Sequence, residues 1–380
     1  MRYHRLCEFC GACGLNMRRR TVLVSLILAM HIGLPLLGVA LAGKPLTQYL
    51  EFPPLTRYVD HPPFSWGHFI VGFLFLVSLS VPFTRRALYC LKTRGARPLS
   101  HEKRTFPWWG WAAVAGGAIS WVLAWNRFPW FEPFQSHTFT PLWISYIIAV
   151  NAYSYKRGGK CMLVSDRGYL MLLFLASTVF WWVFEFLNRF VQNWYYPGGE
   201  GLTSSEYVLY ATISFSTVLP AVLSTKDLLL SFPFFRECYA DFIPLRPAHP
   251  KVFASITLLA AALGLVSLAT HPELTYSFLW LSPLIAVVSF QVVFGKRHVL
   301  SGIASGDWTL VITSSVAALV CGFFWEMWNY YSLSKWVYAI PYLHKFQLFE
   351  MPLLGYAGYL PFGLICLAAG ELVRIRGKEK

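Results

Sequence analysis

Charge is what this chain has least of. Only 13% of its 380 residues are Asp, Glu, Lys or Arg, where a water-soluble domain carries about a quarter. Together with 56% hydrophobic residues and a mean hydropathy of +0.49, that shortage excludes a soluble globular domain and points to a polytopic membrane protein. Acidic residues are the scarcer sign, 18 Asp and Glu against 32 Lys and Arg, so any carboxylate inside an apolar run stands out. The sequence also has no Gly-rich phosphate cradle and no His pair at metal-ligand helical spacing. The usual sequence grounds for nucleotide or zinc-dependent hydrolysis are therefore missing.

What is present in quantity is long apolar runs. Windows of about 20 apolar residues predict ten membrane-spanning helices, at 21–42, 64–82, 108–126, 139–155, 168–189, 205–224, 252–270, 276–294, 308–330 and 356–373. The predicted fold is all-α. It begins with a tail and two-helix hairpin with a basic loop (1–107), in which Pro53-Pro54 and Pro62-Pro63 make an extended outer connection. A four-helix repeat (108–250) and a second four-helix repeat with a basic tail (251–380) follow. Four helices is an even number, so the two repeats run parallel.

The net charge of +14 is a topology signal, not a nucleic-acid footprint. All Lys and Arg except Lys44, Arg57, Arg127, Arg189, Lys335 and Lys345 fall in alternate connections, 1–20, 84–107, 156–167, 225–251, 296–297 and 374–380. That asymmetry predicts cytoplasmic termini in a cell (inner) membrane. Under this orientation no cysteine sits in an outer loop, which argues against structural disulfides. At the N-terminus, Arg18-Arg19-Arg20 before an apolar run ending in Ala40-Leu41-Ala42 resembles a signal peptide. The run is longer than the usual signal-peptide core, so an uncleaved first helix is expected; Met17 is an alternative start.

One constellation occurs twice. Glu185, Asn188, Trp194 and Tyr196 reappear as Glu326, Asn329, Trp336 and Tyr338. Upstream, Asp166 pairs with Asp307, and Asn151, Lys156 and Arg157 pair with Gln291, Lys296 and Arg297. The two Asp residues are expected to cap the helices they precede. Glu and Asn, three apart, share a helix face near the outer end of the span. A carboxylate among Trp181, Trp182, Phe184 and Phe186, or Phe323, Phe324, Trp325 and Trp328, loses its hydration and becomes a candidate general acid. The alternative is a hydrogen-bonded strut between helices. Asn188 and Asn329 are candidate orienters or helix–helix bridges. Trp194, Tyr196, Trp336 and Tyr338 are candidate cation-facing walls, or members of the interfacial aromatic belt.

Each copy brings a second acid, Glu206 or Glu350, and a proline in its following helix, Pro220 or Pro361. Glu206 also fits a helix cap. Glu350 precedes Leu353 to Gly363, where Gly355, Gly358 and Pro361 allow a broken helix lining a cavity. The second copy, with Lys335 and His344 in its outer loop, is the better candidate for the active one; the first has Arg189 and Pro197-Gly198-Gly199. Cys7, Cys10 and Cys13, with His4 or Cys90, could supply a cytoplasmic iron–sulfur or zinc site, although the fourth cysteine and proline of a ferredoxin run are missing. No resident cofactor is otherwise expected.

An acidic residue, Trp-x-Tyr and a second acid beside proline, repeated in two halves, resembles the integral-membrane lycopene cyclases. The resemblance touches Glu326, Trp336, Tyr338, Glu350 and Pro352, with Glu185, Trp194, Tyr196 and Glu206 in the other half. It implies protonation of a polyene end by intramembrane carboxylates and ring closure through a carbocation, without net redox change. The chain departs from that family in having one acid, not an adjacent pair, beside its proline, and in its ten predicted spans. The leading expectation is an enzyme acting on a lipid or isoprenoid by carboxylate acid–base chemistry near the outer half of the bilayer, with membrane lipids and a hydrophobic small molecule as partners. Glu326 would then be donor, Glu350 its partner, Asn329 the orienter, and Trp336 and Tyr338 the wall. A proton-coupled transporter or lipid flippase, and a non-catalytic subunit of a membrane complex, are the competing expectations.

Overall fold

The computed structural model describes residues 17–53, 58–94, 104–197 and 202–374. Helix makes up 74% of it, and the described strands form two-residue ladders, so the fold is all-α. The main helices are α1 (Met17–Leu41), α2 (Trp66–Arg94), α3 (Trp108–Trp125), α4 (Phe139–Gly158), α5 (Arg167–Val191), α6 (Ser204–Phe215), α7 (Val218–Leu230), α8 (Pro250–Ser267), α9 (Ser277–Val293), α10 (Thr309–Tyr330) and α11 (Tyr359–Val373). Among the described residues seven segments are long and apolar enough to cross a membrane: Arg18–Leu41, Trp66–Thr93, Arg167–Val191, Ser204–Leu230, Pro250–Ser267, Thr309–Tyr330 and Leu353–Val373. The protein is a multi-pass membrane protein on that ground. The other three expected spans are helices as well, but α9 is short, and the tryptophans of α3 and the polar last turn of α4 lower their apolarity.

Two of the spans are broken at the same kind of place. α6 and α7 are separated at Ser216 and Thr217, and Pro220 stands third in α7. The 3-10 segment Leu353–Gly358 precedes α11, in which Pro361 also stands third. A proline lacks the N–H that would continue the helix backwards, and it is tolerated in a first turn where that donor is unused. The proline therefore marks the start of the inner helix, and the residues before it are free to bend.

Packing follows a regular order. α3 lies on α4 and α8 on α9; α4 then packs on α7, and α9 on α11. α7 and α11 touch in the centre, with α10 against α7 and α5 against α11. α1 packs on α8, α5 and α9, where buried His31 lies 3.1 Å from Ser282 Oγ. α2 chiefly touches the short helix Pro233–Tyr239 and the Leu353–Gly358 segment, and it presents most of its side chains outward. Cys90 at its far end is buried with Cys238 and Tyr239. The Cys7, Cys10 and Cys13 triplet, His4, and Gly198 and Gly199 lie outside the described residues.

Asp307 behaves as the sequence suggested, its Oδ1 accepting the Thr309 N–H at 2.9 Å at the start of α10. Asp166 does not. No cap bond forms from its side chain; Oδ2 accepts from Arg374 Nη2 at 3.0 Å instead, and that guanidinium lies over the Tyr169 ring. A full ionic partner from the chain's other end outcompetes orphan N–H groups of its own helix.

α10 and α11 approach so closely that a side chain on Gly363 would fall on the Ser314 carbonyl. Gly363→Ala should therefore destabilise the bundle by about 1–3 kcal/mol, the usual cost of overpacking, read as a lowered melting temperature in detergent. An unchanged melting temperature would show that this contact is not the constraint described.

Candidate functional site

The site begins where α5 and α10 end. α5 stops because Gln192 takes a left-handed conformation (φ 49°), with its N–H bonded to the Asn188 carbonyl at 2.7 Å. The Asn188 side chain then gathers the returning chain: Oδ1 accepts from Asn193 N at 2.8 Å and Trp194 N at 3.4 Å, and Nδ2 donates to Trp194 O at 2.8 Å. Asn329 does the same after α10, accepting from Trp336 N at 2.9 Å and donating to Trp336 O at 2.8 Å. Both asparagines are thus anchors of the loop, not neighbours of the carboxyls in a hydrogen-bonded pair.

The two anchored loops meet as an antiparallel ladder of β1 (Trp194–Tyr195) and β2 (Val337–Tyr338), with Trp194 opposite Tyr338 and Tyr195 opposite Val337. Ala339 N donates to Asn193 O at 2.8 Å and extends it. Trp194 of one copy faces the residue that matches Tyr196, two positions on, in the other.

This ladder hangs Trp and Tyr side chains over two buried carboxyls. Glu185, fully buried, accepts at Oε1 from Trp181 Nε1 (3.0 Å), Trp194 Nε1 (3.1 Å) and Tyr196 Oη (2.6 Å). Glu326, equally buried, accepts at Oε1 from Tyr338 Oη (2.9 Å) and Tyr359 Oη (2.6 Å), while Trp336 Nε1 donates to the Tyr338 oxygen at 3.0 Å. Burial, with the adjacent carboxylate second, holds the Tyr196 and Tyr338 hydroxyls well above the ordinary phenol range, so both stay protonated donors. In each carboxyl the other oxygen, Oε2, is buried with no partner. A buried polar atom left bare calls for an explanation, a catalytic role or an ordered water among them.

The two carboxyls differ in one donor, an indole at Glu185 and the Tyr359 phenol at Glu326. Trp181 stands four residues before Glu185; the residue four before Glu326 is Gly322. A Cβ on Gly322 would come within 2.5 Å of the Tyr359 ring, so Tyr359 fills beside Glu326 the room that the Trp181 indole fills beside Glu185. Under the offset that aligns Pro220 with Pro361, the partner of Tyr359 is Val218. Large and small have changed places between neighbouring helices while the donor to the carboxyl is kept.

A cavity of about 530 Å³ lies against both carboxyl clusters, within the range of small-molecule sites. Trp181, Trp194 and Tyr196 from around Glu185 and Trp325, Trp336, Tyr338 and Tyr359 from around Glu326 line it. Phe362 packs against Trp181, Trp280 and Trp325. The bent segment contributes Leu354, Gly355 and Gly358, as its Gly and Pro content suggested. Glu185 and Glu326 stand behind this wall and reach it through their tyrosines.

The second acids lie elsewhere. Glu206 is exposed and forms a capping box with Thr203, accepting from Thr203 N at 2.9 Å and from the Thr203 hydroxyl at 2.7 Å. Glu350 is bound to Lys335 Nζ at 2.6 Å, and Lys335, not Glu350, is the member that lines the cavity. Sequence reading passed over Tyr359 as a donor, Trp280 as a wall and Asn193 as a lining residue. Tyr359 stood inside the Gly- and Pro-rich segment already singled out; the other two carried no pattern of their own.

Comparison with protein-family models, with curated proteins and with solved structures gives no match for this chain.

The exchange of bulk predicts a non-additive pair. Gly322→Trp should be strongly destabilising and Tyr359→Val moderately so, whereas the double variant, which transplants the first copy's arrangement, should recover about 1 kcal/mol or more of the summed loss. Thermal unfolding of all three in one detergent checks this; simple additivity would refute the compensation. Separately, Glu206→Gln should leave ligand binding and any turnover within about twofold of wild type, since the cap's effect on stability is small.

Proposed function

We propose that this chain is an integral membrane enzyme that protonates an apolar, unsaturated lipid or isoprenoid in the aromatic cavity and lets the skeleton rearrange without net redox change. One observation carries the reading: a single aromatic chamber bordered by tyrosines whose hydroxyls are bonded to buried carboxyls. An apolar wall suits a hydrocarbon substrate, π faces stabilise positive charge, and a carboxyl cut off from water is a competent proton donor.

In this scheme the Tyr359 hydroxyl, which donates to Glu326 in the resting site, turns toward the substrate, and a protonated Glu326 passes its proton to the Tyr359 oxygen as the Tyr359 hydroxyl proton forms a C–H bond at one carbon of a substrate double bond. Attack of a second double bond moves the cation along the skeleton, and loss of a C–H proton through Tyr196 to a Glu185 carboxylate then discharges it; Glu326, left as carboxylate, takes up a proton before the next turnover. The electron pairs stay in the carbon skeleton, so no oxidant or reductant enters. Tyr359 and Tyr338 are the groups that touch substrate, with Glu326 the reservoir behind them. Glu350 keeps Lys335 neutralised at the rim.

The architectural part of the proposal is that α3, α4 and α9 also cross, giving ten spans with cytoplasmic termini in the cell membrane and the chamber in the outer half. The two four-helix units, 108–250 and 251–380, are then parallel copies related by an approximate twofold axis through the ladder. The pairing of Trp194 with Tyr338 and Tyr195 with Val337 supports this, because matched positions run past one another symmetrically about Tyr195 and Val337. The matching order of helix contacts in the two units supports it too.

Lipids extracted from a host membrane and incubated with purified protein should show, by mass spectrometry, one isoprenoid or lipid depleted and an isomer of equal mass formed. Glu326→Gln should abolish the conversion at near-normal expression, Tyr359→Phe should slow it about 100-fold, and Glu185→Gln should slow it as much or less. Full conversion by Glu326→Gln would end the acid–base reading. Proton-dependent movement of an unchanged lipid across vesicles would replace it with the transporter reading.

A further inference from the structure

We propose that Leu354 is a lateral gate between the chamber and α2, through which a hydrocarbon chain dissolved in the bilayer enters the site. The inference rests on the chamber being a lipid site, as argued above, and adds where its ligand comes from.

A helix that serves only as packing buries one face. α2 does not: from Trp66 to Tyr89 no residue is buried, and the face turned inward, Phe69, Gly72, Leu76, Ser80 and Phe83, is half-buried. The helix is instead fastened at its ends. At its start Ser65 N donates to Tyr342 O at 2.9 Å, and the rings of Phe64, Trp66 and Phe69 gather around Phe346 with centroids within 6.0 Å. Toward its far end Tyr239 Oη donates to Phe83 O at 3.0 Å, and Arg86 Nε to Cys238 O at 2.9 Å. A helix held at both ends and loose between them leaves a slot against the bundle. In a bilayer an apolar slot is filled by hydrocarbon chains.

That slot runs past a thin part of the chamber wall. Leu354 lines the chamber, and a Cβ placed on Gly72 would lie 3.4 Å from Leu354 Cδ1. One residue therefore spans the distance from the chamber to α2, at a position where α2 carries no side chain. Leu353, next to it, is 54% exposed and lies off the chamber wall, so lipid reaches this segment from outside. Phe69, Gly72 and Leu76 on one side and Leu353 and Leu354 on the other make the path apolar, as a methylene or isoprenoid chain requires.

The segment is also built to yield. Leu353–Gly358 is a 3-10 turn with no buried residue, a form with poorer hydrogen bonds than an α-helix. Its ties to the preceding loop, Leu353 N to Phe346 O at 3.0 Å and Tyr356 Oη to Leu348 O at 3.1 Å, lie to either side of Leu354. A Cβ on Gly358 would meet nothing within 4 Å, so the end of the segment has room to move. Under the offset that aligns Pro220 with Pro361, Leu354 matches Ile213, which lies inside the regular helix α6. The yielding form belongs to the second unit, the one that carries Glu326 and Tyr359.

The test follows exchange of bromofarnesene with the full chain in lipid nanodiscs. Bromine quenches indole fluorescence by contact. Surface indoles should dim as soon as the probe enters the bilayer, and the chamber's Trp181, Trp194, Trp280, Trp325 and Trp336 in a slower, saturable phase. Leu354→Ala should speed that phase and its reversal about tenfold or more, since a large apolar side chain has left the path. Gly72→Cys combined with Leu354→Cys, joined by a short bis-thiosulfonate reagent, should slow both about tenfold or more relative to the unlinked pair, with Kd within about twofold, because a gate changes entry and exit alike. Reductant should reverse the effect, and each single variant treated with the reagent controls for native thiols. Wild-type rates in Leu354→Ala and unlinked rates in the linked pair, a linked pair changed in Kd but not in rate, or thiols that the reagent fails to join would overturn the gate while leaving the chamber a lipid site. Absence of the saturable phase from every protein would overturn the gate together with the chamber reading.

Discussion

A carboxyl removed from water must be given hydrogen-bond donors, and in a bundle this apolar the helices have few to give. Much of the structure at this end follows from that demand. Three of the five donors, Trp194, Tyr196 and Tyr338, come from the loops, so the loops have to be held still; the asparagines at the ends of α5 and α10 hold them, and the ladder between β1 and β2 ties the two together. The walls that satisfy the carboxyls are the walls of the chamber. Packing, hydrogen bonding and cavity shape are therefore one arrangement, and a change at Asn188 or Asn329 reaches the carboxyl through the strand it fixes.

Much of this could be read from residues alone, for identifiable reasons. Long apolar runs give helices with little competition, and a carboxylate in such a run is rare enough to draw notice wherever it lies. The repeated Glu, Asn, Trp and Tyr positions came together as residues of two adjoining sites. Roles were harder. Asp166 has the form of a cap, yet finds Arg374 across more of the chain than any local rule covers. Glu206 has the form of an acid catalyst and is an exposed cap. Tyr359 reaches Glu326 because Gly322 leaves room for it, a three-dimensional exchange that no linear spacing encodes.

The same exchange explains how two related clusters can differ and still hold their acid. In the first, one donor is an indole on the acid's own helix; in the second, the corresponding donor is a phenol from α11, the helix that begins after the bent segment. A phenol can pass on a proton and take another, while an indole N–H at these pH values only holds its own. Glu326 is thus bonded to two hydroxyls and Glu185 to one. The proposal of Glu326 as reservoir and Glu185 as the later acceptor uses that inequality, with Tyr196 as the one hydroxyl on the first side.

The ladder is built from one strand out of each half, and the indoles interlock across it: Trp194 lies on Trp280, and Trp143 lies on Trp325. Neither set of helices owns a complete chamber. A chain severed between Tyr239 and Pro250, in the connection that precedes α8, would yield two fragments each lacking half of the wall. Coexpressed, they would have to find one another to restore it, much as the subunits of a heterodimer do. The covalent link keeps the two sets of helices, and so the two parts of the wall, in equal number.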